Sequence, residues 1–266
     1  MCGRFQLKSD QDWMEAFGVA EPPDLPPRYN IAPTQEIVAV RRDAGGERRA
    51  SLLHWGLVPS FAEEPGVGNR MINARAETVA RKPAFREPFQ KRRCLVPADG
   101  FYEWRRVGRV RDPYLMKRRD GKPFAFAGVW DRWSKAGAPL ESCAILTTAA
   151  NELVSKIHDR MPVILDRDAY ELWLDPDAPE DELHRVLRPY PAELMTAWPV
   201  SPRVNSAAVD DPECERRIAE PPEAPVQTTL SSLFLRAPRP AEDARGGGPV
   251  CPLASAPSPR TPAPEK

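Results

Sequence analysis

Short apolar runs bounded by Gly, Pro, Asn and Asp recur along the chain and predict strands. They fall at Ile37–Arg41, Arg48–Trp55, Arg93–Pro97, Tyr114–Lys117, Phe124–Trp133, Ser142–Thr148, Val163–Leu165 and Thr196–Val200. Asp43-Ala44-Gly45-Gly46 and Asp120-Gly121 read as turns between strands. Helical spacing is rarer. Trp13, Met14 and Phe17 predict a short helix over Asp10–Phe17, with Ser9 or Asp10 as its N-cap. Asn151–Ile157, Arg167–Leu174 and Pro179–Leu187 predict three more, the last with a polar face of Glu182, Arg185 and Arg188. Lys82–Phe89 reads as a basic connection interrupted by proline. Strands dominate without a βαβ rhythm, so the expected fold class is α+β: β-rich and antiparallel, with a few peripheral helices.

The texture changes near Pro221. Nine prolines lie between Glu223 and Lys266, together with Gly246-Gly247-Gly248 and much Ala and Ser. Such a segment cannot bury enough apolar surface to order itself. A domain over 1–220 and a disordered tail over 221–266 are therefore expected. The tail holds one apolar island over 227–235, where Gln227, Leu230, Leu233 and Phe234 have the spacing of peptides that dock a sliding clamp.

Charge and cysteine usage narrow the function. The 266 residues carry 38 basic and 38 acidic side chains, which excludes a histone-like global basic field. Affinity for nucleic acid would have to come from a local set such as Arg4, Arg75, Arg81, Lys82, Arg86 and Arg160. Five cysteines form no CxxC, so neither a metal site nor a disulfide framework is expected. No apolar run approaches membrane-spanning length and the start lacks a signal-peptide profile. The expected location is the cytoplasm, associated with the nucleoid if the source is bacterial, as a monomer.

The most reactive position is the second. In Met1-Cys2-Gly3-Arg4-Phe5, removal of Met1 would leave a terminal cysteine, an α-amine and a thiol two carbons apart. The amine titrates near ~8, so a neutral nucleophile is available close to neutral pH. Such an aminothiol can capture an aldehyde as an imine and then close a thiazolidine. Three further stretches place polar groups at strand ends or turns: Asn73–Glu77, Gly100–Trp104 and His158–Pro162. Each has a plain structural reading as well. Asn73 can cap a turn, Glu103 can be the solvent face of an alternating strand, and His158 can be a satisfied core histidine.

Together these motifs resemble the SRAP family (SOS-response-associated peptidase), the abasic-site processing proteins that shield abasic sites in single-stranded DNA. The resemblance runs from Met1 to about Val209. It rests on Met-Cys-Gly-Arg-Phe, Arg28–Pro33, Trp55-Gly56, Ile72–Thr78, Gly100–Trp104 and His158–Pro162. It implies that Cys2 is the covalent nucleophile, that Asn73 positions its amine and thiol, and that Glu103 and His158 exchange protons. It also implies that Arg4, Arg75 and Arg160 hold phosphates, with Pro33 beside the DNA. Some relatives carry a Trp-rich loop after Trp-Gly. Here Pro59-Ser60-Phe61-Ala62 stands instead, which leaves Phe61 to stack on a flanking base.

Three functions compete at this stage. The leading one is a thiazolidine crosslink between Cys2 and an abasic site in single-stranded DNA. It needs no cofactor and carries a weak lyase side activity. The second is an N-terminal-nucleophile cysteine peptidase or amidohydrolase. The third is a non-covalent single-strand binding module, which leaves Glu103 and His158 without a role.

Overall fold

In a computed structural model, residues 2–8, 16–20 and 25–221 are described, all within the unit Met1–Ala224. Only Ala16 and Phe17 of the expected first helix fall among them. The second unit, Pro225–Lys266, lies outside them, and with it the clamp-like island and all but the start of the expected disordered tail.

Thirteen strands order the described chain: β1 (Phe5–Leu7), β2 (Arg28–Ile31), β3 (Glu36–Arg42), β4 (Arg48–Trp55), β5 (Asn73–Arg75), β6 (Arg93–Ala98), β7 (Gly100–Val107), β8 (Val110–Arg118), β9 (Phe124–Trp133), β10 (Leu140–Ala149), β11 (Arg160–Pro162), β12 (Ile164–Leu165) and β13 (Met195–Pro199). Three short helices lie wholly among the described residues: α1 (Pro83–Lys91), α2 (Tyr170–Leu174) and α3 (Glu180–Val186). The β-rich α+β class expected from the pattern is the observed one.

The larger sheet runs β11-β10-β4-β3-β6-β9-β12, and a further pairing of β9 with β10 closes β10-β4-β3-β6-β9 into a ring. Closure leaves those strands without a free edge. The sheet is not wholly antiparallel: β10 runs parallel to both β4 and β5. The smaller sheet, β13-β8-β7-β1-β2, is antiparallel throughout. Its apolar face packs on the ring through aromatic rings. Phe5 of β1 lies 5.2 Å from Trp55 and 5.7 Å from Phe126, and Phe101 of β7 lies 6.1 Å from Phe126.

Two expectations change. Lys82–Phe89 is helix α1 rather than a connection. Pro83 sits at the start, where the missing N–H costs nothing, and Pro88 is buried inside a helix short enough to tolerate the lost bond. Asn151–Ile157 is not a helix but a loop with one 3₁₀ turn at Val154–Lys156. Ala150 bonds the Asp159 carbonyl, so the segment must return at once to bring β11 back along β10.

Candidate active site

Strand pairing gathers the candidate side chains at one end of β10. Its residues Ile145 and Thr147 pair with Asn73 and Arg75 of β5, while Ala149 pairs with Arg160 of β11. From the smaller sheet, β1 brings the chain start alongside β7. Phe5 pairs with Phe101, and Tyr102 N–H bonds the Arg4 carbonyl. The start of the chain therefore runs past Glu103.

Cys2 is fully buried, and Asn73 Nδ2 donates to its carbonyl at 2.8 Å. Asn73 Oδ1 is also buried and has no partner among the described residues. Glu103 shares the face of Phe101, pointing towards the ring, because side chains alternate along β7. At 2% exposure it is no solvent-face carboxylate. Burial pushes its pKa up to about 7, against the opposing pull of the chain's amino terminus. Burial, and then the charge of Glu103, push the Cys2 thiol far above its ordinary range, so it is a protonated thiol at neutral pH.

His158 follows the 3₁₀ turn that Asn151 anchors. Asn151 Oδ1 accepts from Leu153 and Val154 N–H at 3.1 and 2.9 Å. The imidazole is half-buried, and burial followed by the positive amino terminus lowers its pKa. Arg160 N–H donates to Nδ1 at 2.9 Å, which assigns the proton of the neutral ring to Nε2. Asp159 Oδ1 also lies 2.9 Å from Nδ1 and pulls the other way, but it is largely solvated. The terminal charge acts on Cys2, Glu103 and His158 alike.

The basic candidates differ in their freedom. Arg75 is exposed at the end of β5. Arg160 is bound on both arms: Nη1 and Nη2 hold Glu77 at 2.6 and 3.0 Å, and Nη2 holds the Thr147 carbonyl at 2.7 Å. Glu77, its pKa lowered chiefly by that bond, was visible in the sequence as part of Asn73–Glu77 but carried no role there. Arg4 is drawn to the opposite face of β7. Its Nη1 donates to Asn30 Oδ1 and the Val204 carbonyl, both at 2.8 Å, and its guanidinium sits 5.8 Å from the Trp104 ring centre. Pro33 stands in the turn after β2, next to Thr34, whose φ of +70° is rare for a β-branched residue.

Phe61 is 58% exposed, while the backbone around it is fixed. Ser60 N–H reaches Asp131, and Trp133 Nε1 reaches the Ala62 carbonyl, both at 2.8 Å. The loop begins at Gly56, whose φ is +143°. A Cβ there would lie 2.7 Å from the Gly68 carbonyl oxygen, so no larger residue fits.

A family description, SOS response associated peptidase (SRAP), matches residues 1–207, and the chain belongs to that family. It is 43% identical over 220 residues to the abasic site processing protein YoqW of Bacillus subtilis, covering 80% of this chain and 98% of that one. It is 45% identical over 213 residues to YoaM of the same organism, also described as an abasic site processing protein, covering 77% and 93%. Among solved structures, a protein from Bacteroides thetaiotaomicron aligns with a TM-score of 0.73 at 27% identity, over 82% of this chain and all of that one.

Proposed function

We propose that the protein processes abasic sites in DNA by capturing them covalently in single strands, through Cys2 after removal of Met1. The neutral α-amine adds to the C1′ aldehyde of the opened sugar, and loss of one water gives an imine. The Cys2 thiol then adds to the imine carbon and its proton passes to nitrogen, closing a thiazolidine. Each step moves a proton. Glu103 with its pKa near 7 can give and take them at neutral pH, and neutral His158 can do so through its ring. Asn73 holds the Cys2 backbone, and Arg75 and Arg160 lie on flanking strands for the phosphates.

One observation carries this reading: the Cys2 thiol is buried beside a carboxyl group balanced between its two protonation states. A hydrolytic cysteine needs a thiolate. Here burial and the Glu103 charge oppose that form, whereas thiol addition to an imine begins with the amine. The names of the relatives support the same substrate. An imine also promotes elimination of the 3′ strand, so a weak lyase activity accompanies capture and persists in Cys2→Ala, which keeps the amine.

The test is intact-mass spectrometry with a single-stranded oligonucleotide carrying one abasic site. The expected species lacks Met1 and gains the oligonucleotide less one water, and it is absent from Cys2→Ala. A mature Cys2 terminus that forms no adduct, or a retained Met1, overturns the proposal.

A further inference from the structure

The hairpin of β7 and β8 extends well past the point where β1 begins. Phe5 pairs with Phe101, so the antiparallel course brings the chain start level with Glu103. Beyond that level the ribbon continues through Trp104↔Pro113, Arg105↔Asp112, Arg106↔Arg111 and Val107↔Val110. Gly108, at φ +61°, makes the tight turn. The ribbon therefore projects from the residue that faces Cys2.

Its tip carries an unusual charge arrangement. Arg105 is paired with Asp112 and Glu220. Arg106, Arg109 and Arg111 are exposed, and their side chains have no hydrogen bond or ion pair among the described residues. Arg106 and Arg111 stand directly opposite each other, a pairing in which like charges destabilise a ladder. Val110, at 59% exposure, adds an apolar side chain between them and the turn. Alternation puts Arg106 on the face of Trp104, over which Arg4 already lies, so cations and one aromatic ring form a single stripe. The chain leaves this region at Glu220 and Pro221, and 223–266 carries five basic and four acidic residues, too little negative charge to serve as the counterpart.

We infer that this ribbon is a second phosphate-binding surface, which holds the backbone of the single-stranded DNA flanking the nucleotide at Cys2. Unpaired guanidinium groups beside an aromatic face suit single-strand backbone binding, and an anion between Arg106 and Arg111 removes their mutual repulsion. The inference rests on the capture of DNA at Cys2. It adds a contact that the catalytic groups do not make.

The experiment compares the full-length protein with a triple variant, Arg106→Gln, Arg109→Gln and Arg111→Gln, and with the corresponding triple Lys variant. Affinity for a lesion-free single-stranded oligonucleotide is measured across a salt series, and adduct formation on its abasic counterpart is scored separately. Three lost phosphate contacts lower the slope of log affinity against log salt by about 2, since single strands contribute ~0.7 per contact. The Gln variant is expected to show that fall and the Lys variant to retain most of the slope. An unchanged slope in the Gln variant overturns the ribbon surface, even if adducts form normally. Absence of any adduct from the wild-type protein, with the slope change intact, overturns the capture chemistry and leaves the ribbon standing.

Discussion

Glu103 shows how one side chain ties stability to the proposed chemistry. Its carboxyl group is buried at 2% exposure and its pKa rises from 4.5 to about 7. Between those values the folded chain keeps a proton that the unfolded chain has released, so stability falls as pH rises through that window. Full ionisation above pH 7 costs about 3 kcal/mol on this shift, at ~1.36 kcal/mol for each pKa unit. Glu103→Gln is expected to unfold at a higher temperature than wild type at pH 8, with the advantage fading as pH falls towards 4.5, while adduct formation slows at least tenfold. Thermal unfolding across pH, with adduct rates alongside, checks both halves. A variant no more stable than wild type at pH 8 contradicts the buried-carboxylate account. The motif made Glu103 visible in the sequence. Its burial was not legible there, because Gly-Phe-Tyr-Glu-Trp fits an alternating surface strand equally well.

At the scale of elements, Arg93 does work that no local pattern announces. It opens β6 at 5% exposure and donates to four backbone carbonyls: Phe89 and Gln90 at the end of α1, and Trp173 and Asp175 at the end of α2. One guanidinium thus satisfies the unpaired carbonyls of two helix C-termini and meets the negative ends of both dipoles. Burial lowers its pKa to about 10, which leaves it charged at neutral pH. Arg93→Met is expected to destabilise the domain by about 3 kcal/mol through several lost charge-assisted bonds, read as a lower urea midpoint. Arg93→Lys should recover only part, since one ammonium cannot span both helix ends. A midpoint unchanged in Arg93→Met shows that the helix ends hold without it. In the sequence Arg93 is one basic residue in Lys91-Arg92-Arg93, and proline at 83 and 88 hid the helix it caps. The charged ribbon beyond Trp104 escaped notice likewise, because Arg105-Arg106 and Arg109–Arg111 lack the apolar alternation that marks a strand.

Across the whole molecule, the segment after β13 straps the smaller sheet. Asn30, fully buried on β2, donates from Nδ2 to the carbonyls of Val204, Ser206 and Val209 at 3.3, 2.9 and 2.5 Å, and accepts from Arg4 at 2.8 Å. Asp210 accepts from Tyr29 and Asn30 N–H at 2.5 and 2.8 Å, and Glu215 reaches Gln6 and Lys8 at 3.3 and 3.2 Å. The last described stretch therefore holds the two strands, β1 and β2, beside which Cys2 and Arg4 lie. Asn30→Ala removes the amide's bonds to the strap carbonyls and one of the two acceptors of Arg4 Nη1, at a cost of about 3 kcal/mol. For a domain of this size the unfolding temperature should fall by roughly 6–12 °C. Calorimetry showing a shift of a degree or less removes Asn30 as the clasp. Among the described residues, no helix is long and apolar enough to cross a membrane.

By itself the sequence determined eight of the thirteen strands, the helices at α2 and α3, the hairpin turn at 43–46, the turn between sheets at 120–121, and the residue types with chemistry to offer. Those signals are local: apolar runs, turn residues, and a cysteine next to the initiator methionine. The parallel pairing of β10 with β4 and β5, the closed ring, the helix at Pro83–Lys91 and the strap over Asn30 came only from the tertiary structure. So did the protonation of the site. Cys2 and Glu103 are 101 residues apart in sequence, and their coupling exists only because β1 lies on β7 away from water. Pairing across such separations depends on which faces the whole chain can bury at once, and burial then sets the pKa values that the proposed chemistry uses.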